Sequence, residues 1–344
     1  MFSTQAPTPV HHAAPEHQPP AALRAAGIVA VLTIAIAVVA IAFALPASRS
    51  KPHDAPIGAA GPQAATSQIA ERLEQQAPGA FAVTYYPGEE SLREAILNRN
   101  VYGGIAFGPQ GPTLLTATGG SPAVAQLLTQ IGTGIAAHSG VALHTEDLAP
   151  PTSQDPRGTG LAASALPITL AGMLPAIALV LVLRREVWTR LTAAIVFCAL
   201  AGTTVAALLY YVFGSIDSNL WGVAAGLTLG IAAAGLFMLG LGSLFGKVGL
   251  GVGAALALLL GNPLSGLTSA PEMLPAGWGQ LGQLLPQGAT ATLLRSTAYF
   301  GGAGADLALI VLSCWALAGL SLVIIAALRR PGPPAPRLRL RGTR

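Results

Sequence analysis

Charge is what this sequence has least of. Of its 344 residues, 32 are Asp, Glu, Lys or Arg, a share of 9%, against roughly a quarter in soluble domains. So few charges cannot cover a soluble globule of this size, which excludes a simple soluble enzyme. Lysine is nearly missing: Lys51 and Lys247 stand against sixteen arginines. With the Ala-, Gly- and Pro-rich composition, that bias points to a GC-rich bacterial source. No phosphate-binding loop is present. The nearest approach, Gly246-Lys247, has Leu241 where the first glycine is required and Val248 in place of Ser or Thr. No HExxH and no cysteine-histidine cluster occurs. The chain therefore offers no ATP site, no metal site and no cofactor site of a familiar kind.

What is abundant is apolar. The hydrophobic share is 52% and the mean hydropathy +0.61, which excludes disorder for most of the chain. Uncharged stretches of about 20 residues recur, as in a helical membrane protein. The first runs over 25–45, behind a Pro- and His-rich leader, 1–24, expected to be disordered. A cleaved signal peptide is the alternative, with Ala42-Phe43-Ala44 as its small-residue site. Five more runs follow at Leu161–Leu183, Leu191–Phe213, Leu220–Phe245, Val248–Gly261 and Leu307–Leu328. The fifth of the six, Val248–Gly261, is short and Gly-rich. The fold class is thus an α-helical polytopic membrane protein with six transmembrane helices in the bacterial plasma membrane.

Arginine and lysine set the expected orientation. The loop after the second run holds Arg184, Arg185, Glu186 and Arg190, and Lys247 follows the fourth. The basic tail, 329–344, holds six arginines. All fall on one side, so both termini are expected in the cytoplasm. The net charge of +4 comes largely from that tail and is a topology signal, not one for nucleic acid.

Outside the membrane, residues 46–160 carry most of the remaining charge. Positions 47–65 read as a linker. The pattern beyond is that of a small α/β domain: helix Thr66–Gln76, strand Phe81–Tyr86, helix Glu89–Asn98, strands Tyr102–Phe107 and Thr113–Thr118, a helix from Ser121-Pro122, and a short strand Val141–Thr145. The domain has no cysteine, so its core rests on the hydrophobic pattern. Ser121 reads as a helix start rather than a nucleophile, and His138 and His144 as loop or helix-end residues.

Cys198 and Cys314 fall inside runs, as small lipid- or core-facing residues. No run carries a charge at its middle, which argues against an ion- or proton-coupled transporter. Small residues form ladders instead: Gly222, Gly226 and Gly230, then Gly249 and Gly253, each four apart. They allow close helix approach, either within the chain or at a dimer seam. The segment 262–305 is apolar but interrupted by Pro263, Pro271, Pro275 and Pro286, so it cannot be one span. Short pieces, Trp278–Leu285 and Ala289–Tyr299, are expected to lie in or dip into the outer interface. Glu272 and Arg295 are expected to face water or each other.

This layout resembles the membrane subunits of type-2 ABC exporters, in the branch of phage-infection-protein-like permeases. The resemblance rests on one span followed by an α/β domain and five spans, on the stretch LREAILNRNVYGGIAF (92–107), and on the Pro-rich outer segment with Pro263, Pro275, Pro286 and Arg295. It covers about residues 25–328. It implies a re-entrant hairpin between helices 5 and 6, and a homodimer or heterodimer of permeases. It also implies a separate ATP-binding subunit touching the loop of Arg184, Arg185, Glu186 and Arg190. A membrane-anchored envelope interaction protein, with the spans as scaffold, is the competing expectation.

Overall fold

The computed structural model describes residues 20–109, 111–140, 142–267 and 269–329. Most of the expected leader, the tail beyond Arg329 and the His138 side chain lie outside the described residues.

Helix α1 spans Ala21–Ser48, extending the expected first run at both ends. Residues up to Ile41 form a unit by themselves. Their apolar side chains, Leu32 and Ile36 among them, are exposed. The second unit holds everything after that point.

Its first part is an α/β sandwich. Strands β1 (Ala55–Ala60), β2 (Phe81–Tyr86), β3 (Gly103–Gly108), β4 (Gly111–Thr116) and β5 (His144–Asp147) form one sheet in the order β2-β1-β3-β4-β5. Only the β3–β4 pair is antiparallel. Helices α2 (Gln63–Gln76) and α4 (Pro122–Ser139) cover one face, where Ile69, Leu73, Val124 and Leu128 meet Ile57, Ile105 and Leu114. Helix α3 (Glu89–Leu97) covers the other, with Leu92 and Ile96 on Ala60, Ala106 and Leu115.

The linker expectation for 47–65 is overturned, because β1 lies inside it and sits between β2 and β3. Its sequence, Ala-Pro-Ile-Gly-Ala-Ala, lacks the β-branched density of ordinary strands. The reason is steric. A Cβ on Gly58 would strike Leu92 of α3, and one on Gly104 would strike the Gly58 backbone across the β1–β3 pair. Helix α4 starts as expected: Ser121 caps it by accepting from Val124 N at 3.3 Å, and Pro122 fills the first turn.

The second part is a helical bundle: α5 (Thr159–Ala163), α6 (Ala165–Val182), α7 (Val187–Ala207), α8 (Leu220–Ala255), α9 (Trp278–Gln283), α10 (Pro286–Tyr299) and α11 (Asp306–Leu328). Among the described residues, five helical stretches are long and apolar enough to cross a membrane: Ala21–Ser48, Thr159–Val182, Val187–Val212, Leu220–Gly261 and Asp306–Leu328. The fourth is the centre of the bundle. Most of its residues are buried, whereas the three that surround it are mostly exposed. Helices α6, α7, α10 and α11 all pack on it.

The expected fifth run, Val248–Gly261, follows a break in the helix and is short, as expected. It is the second arm of α8 and of the π-helical turn Leu256–Gly261 that follows. The two arms meet at Gly246, whose φ of 60° and ψ of −135° break the helix. Beyond it the chain folds back: a Cβ on Gly253 would lie 2.6 Å from Met238 Sδ, and one on Gly242 2.5 Å from Leu250 Cδ2. Gly246 makes this reversal because its backbone lies where a side chain is strained.

Candidate functional site

The segment 262–305 folds as short helices, as its prolines require. Pro271 opens a single 3-10 turn ending at Met273, and Pro286 is the first, buried residue of α10. Pro263 follows the second arm of α8, and Pro275 lies in the loop before α9. Helix α10 lies against α8 and α11, and the small residues of α8 allow it. Gly226 faces Leu293, and Gly230 faces Thr290 so closely that a Cβ there would overlap the threonine side chain. Gly222 sits under Asn219, the cap of α8. Gly249 abuts Leu241 and Phe245 across the Gly246 turn. Both ladders thus pack inside the chain.

At its other end α10 enters the α/β domain. Tyr299 and Phe300 pack with Leu92, Ile96 and Ala149 on the α3 face of the sheet. Between this segment and the domain lies a cleft of about 780 Å³. One wall is the start of β1 and the turn after α3, with His53, Asp54, Pro56, Arg99 and Tyr102. The other is the Pro-rich segment, with Glu272, Pro275, Gln280, Gln283, Leu284 and Thr292. Leu307, in the first turn of α11, closes one edge.

Hydrogen bonds lace the two walls together. His53 N donates to Glu272 O at 2.8 Å, and Ser50 Oγ to Met273 O at 3.0 Å. Tyr102 Oη donates to Glu272 Oε2 at 2.7 Å. Arg99 Nη1 donates to Thr292 O at 3.0 Å and to Ser296 Oγ at 2.5 Å. The Arg99 guanidinium also stands 5.3 Å from the centre of the Phe300 ring. Arg99 itself has a φ of 61°, a conformation uncommon for a side-chain-bearing residue and a mark of positioning.

Arg295 lies behind the cleft, 5% exposed, and donates from Nη2 to Leu267 O at 2.6 Å. Of the two expected positions, facing water or each other, Glu272 takes the open cleft while Arg295 is buried, and the two form no ion pair. Among the described residues the only ion pairs within 4.0 Å join Arg93 to Glu89 and to Glu146. Burial pulls the Arg99 guanidinium below its ordinary value, partly opposed by Tyr102 and Glu272. Burial brings Arg295 down to about 10, so it remains a cation at neutral pH. Burial, reinforced by Glu272, drives Tyr102 up and keeps it a neutral donor.

The same end of the bundle is pinned by Asp155. Its carboxylate accepts from Thr159 N at 2.9 Å, Gly160 N at 2.8 Å and Ser215 Oγ at 2.7 Å. Tyr299 Oη donates to Ser215 O at 3.3 Å.

The expected ATPase-contact residues lie elsewhere. Helix α6 begins near Asp155 and ends at the loop of Arg184, Arg185 and Glu186, all exposed. Arg190 is not on that loop. It occupies the first turn of α7 and is 1% exposed, so its guanidinium belongs to the interior. The sequence reading missed His53, Arg99 and Tyr102. The available signal was the stretch Asn98-Arg99-Asn100, a cation between two turn-forming residues at the end of a helix. No protein-family model, curated protein or solved structure matches this chain.

Proposed function

We propose that this chain is the membrane subunit of an export system of the type-2 ABC kind, with ATP hydrolysis supplied by a separate subunit. The cleft between the α/β domain and the Pro-rich segment carries this reading. An anchor requires only apolar helices. An open cleft roofed by a folded domain, and floored by broken helices packed on the central helix, suits a molecule that handles a ligand at the membrane surface. The lack of charge at the middle of the spans supports an energy source outside the chain.

In this reading the chain crosses a bacterial plasma membrane six times, counting the second arm of α8. The domain and residues 262–305 are outside, and both termini are cytoplasmic. The Pro-rich segment is the re-entrant hairpin. The subunit works as a homodimer or heterodimer. The exposed loop of Arg184, Arg185 and Glu186 lies at the end of α6 remote from Asp155 and receives the ATP-binding partner. Crosslinking in native membranes should recover an ATP-binding protein, and Arg184→Ala with Arg185→Ala should uncouple it from export. Recovery of no ATPase, together with intact export in the double variant, would refute the reading.

A second reading has its own observation. A groove of about 290 Å³ lies on the other face of the domain between α2 and α4, lined by Ile69, Ile105, Phe107 and Leu143. It suits a membrane-anchored interaction protein that grips an envelope partner. Removing the whole sheet, residues 55–147, would abolish function in either case. Closing the groove with Gly132→Phe would abolish it only in this one.

A further inference from the structure

We infer that the cleft binds the headgroup of a zwitterionic amphiphile, its phosphate on Arg99 and its ammonium on Glu272. The argument starts from what these groups leave unused. Arg99 commits Nη1 to Thr292 and Ser296, but Nε and Nη2 form no hydrogen bond among the described residues. A guanidinium with two free donors on one edge is a fork for a phosphate. Glu272 accepts from Tyr102 through Oε2, while Oε1 has no hydrogen-bond partner among the described residues. On the same wall as Arg99, His53 Nδ1 is buried without a partner among the described residues, a nitrogen that accepts a hydrogen bond when the ring proton is on Nε2. An ammonium donates to a carboxylate and an imidazole nitrogen alike.

Arg99 and Glu272 line one cleft yet form no ion pair. Charge balance then selects the ligand. A simple anion would meet Asp54 on the wall of Arg99 and Glu272 on the wall opposite. A simple cation would meet Arg99, with Arg295 behind it. A group carrying both signs satisfies each side. The amphiphilic part follows from the rim, where Leu284 and Leu307 are 54% and 60% exposed. Leu307 begins α11, a helix long and apolar enough to cross the membrane. Chains leaving the cleft past Leu307 would run into lipid. The volume of about 780 Å³ holds such a headgroup and the start of its chains.

This inference rests on the export reading for the fate of the ligand, but its test does not. The full chain, purified into lipid nanodiscs containing phosphatidylethanolamine and phosphatidylglycerol in equal amounts, is released into a mass spectrometer and its retained lipid read. Phosphatidylethanolamine should be retained about tenfold over phosphatidylglycerol, the scale of one hydrogen-bonded charge. Glu272→Gln keeps an acceptor for Tyr102 and should erase the preference. Equal retention by the unaltered chain would overturn the inference, as would an unchanged preference in Glu272→Gln. Displacement of the lipid by an equal concentration of soluble glycerophosphoethanolamine would overturn the amphiphile in favour of a free zwitterion. Because no ATP-binding partner takes part, failure here leaves the export reading standing. Absence of that partner in turn leaves the lipid result standing.

Discussion

Arg99 and Ser296 stand 197 positions apart and share a hydrogen bond of 2.5 Å. The bond joins the turn after α3 to the last turn of α10, and so couples the α/β domain to the helical bundle. Arg99→Ala leaves Thr292 O and a buried Ser296 hydroxyl without their donor. The expected cost is about 1–3 kcal/mol, read as a lower midpoint in denaturant unfolding of the detergent-solubilised chain. Ser296→Ala removes one bond and should cost about 1 kcal/mol. Equal midpoints for Arg99→Ala and the unaltered chain would show that the domain docks by apolar contact alone.

The reversal at Gly246 is a backbone matter. No atom lies within 4 Å of a Cβ built there, yet φ is +60°. Gly246→Ala therefore meets no clash and still should cost on the order of 1–3 kcal/mol in strain. Gly251→Ala, also without neighbours but in helix, is the control and should be neutral or slightly stabilising. A matched response of the two in thermal unfolding would contradict the proposed strain.

Gly226 and Gly230 test the seat of α10. A Cβ on Gly226 would sit 3.2 Å from Leu293 Cγ, a contact that a small shift relieves. One on Gly230 would be forced into Thr290, which is 3% exposed and bonded to Pro286 O. Gly226→Ala should cost under about 1 kcal/mol, and Gly230→Val roughly 2–3 kcal/mol, from overpacking. Protease cleavage within 262–285 should rise only in the second. Were Gly230→Val to leave stability intact and abolish dimerisation instead, the ladder would be an intersubunit seam.

Asp155 supplies a pH test. Burial would raise its pKa, but hydrogen bonds from Gly160, Ser215 and Thr159 outweigh burial and hold it below 3.8. A folded value below the unfolded one means that its contribution is fully present above about pH 4. That contribution is lost as pH falls through the depressed folded value. Asp155→Asn should be less stable than the unaltered chain at pH 7, by about 1–3 kcal/mol, and the gap should shrink below pH 4. A gap constant from pH 7 to pH 3 would exclude the carboxylate as its source.

Where periodicity and turn chemistry act locally, the sequence was informative. Strand Phe81–Tyr86 carries aromatic and β-branched residues and forms where expected. Ser121-Pro122 starts its helix through the expected cap. Strand β1 was illegible because the sheet demands small residues there, and Ala-Pro-Ile-Gly-Ala-Ala has a linker's composition. The fifth apolar run was legible as short and Gly-rich. Its reversal against the fourth depends on one glycine's dihedral angles, which composition does not encode. The cleft was the least legible feature. Arg99, Tyr102 and Glu272 belong to segments about 170 residues apart, and only the tertiary fold brings them to one wall and its opposite. Arg190 shows the reverse error: a cation counted with a loop is a buried helix residue.

The short second arm of α8 has a consequence for solvation. From Lys247 to Gly261 a helix rises roughly 22 Å, less than the ~30 Å of hydrocarbon in a bilayer. A membrane-crossing chain that turns off the helix at that depth must hide its amides without water. The residues that follow reduce the number of amides to hide, since Pro263, Pro271, Pro275 and Pro286 carry no N–H. Arg295 serves from the opposite direction: its guanidinium gives Leu267 O a partner in the same stretch. Proline and arginine thus leave this irregular stretch of backbone with fewer polar groups in want of a partner.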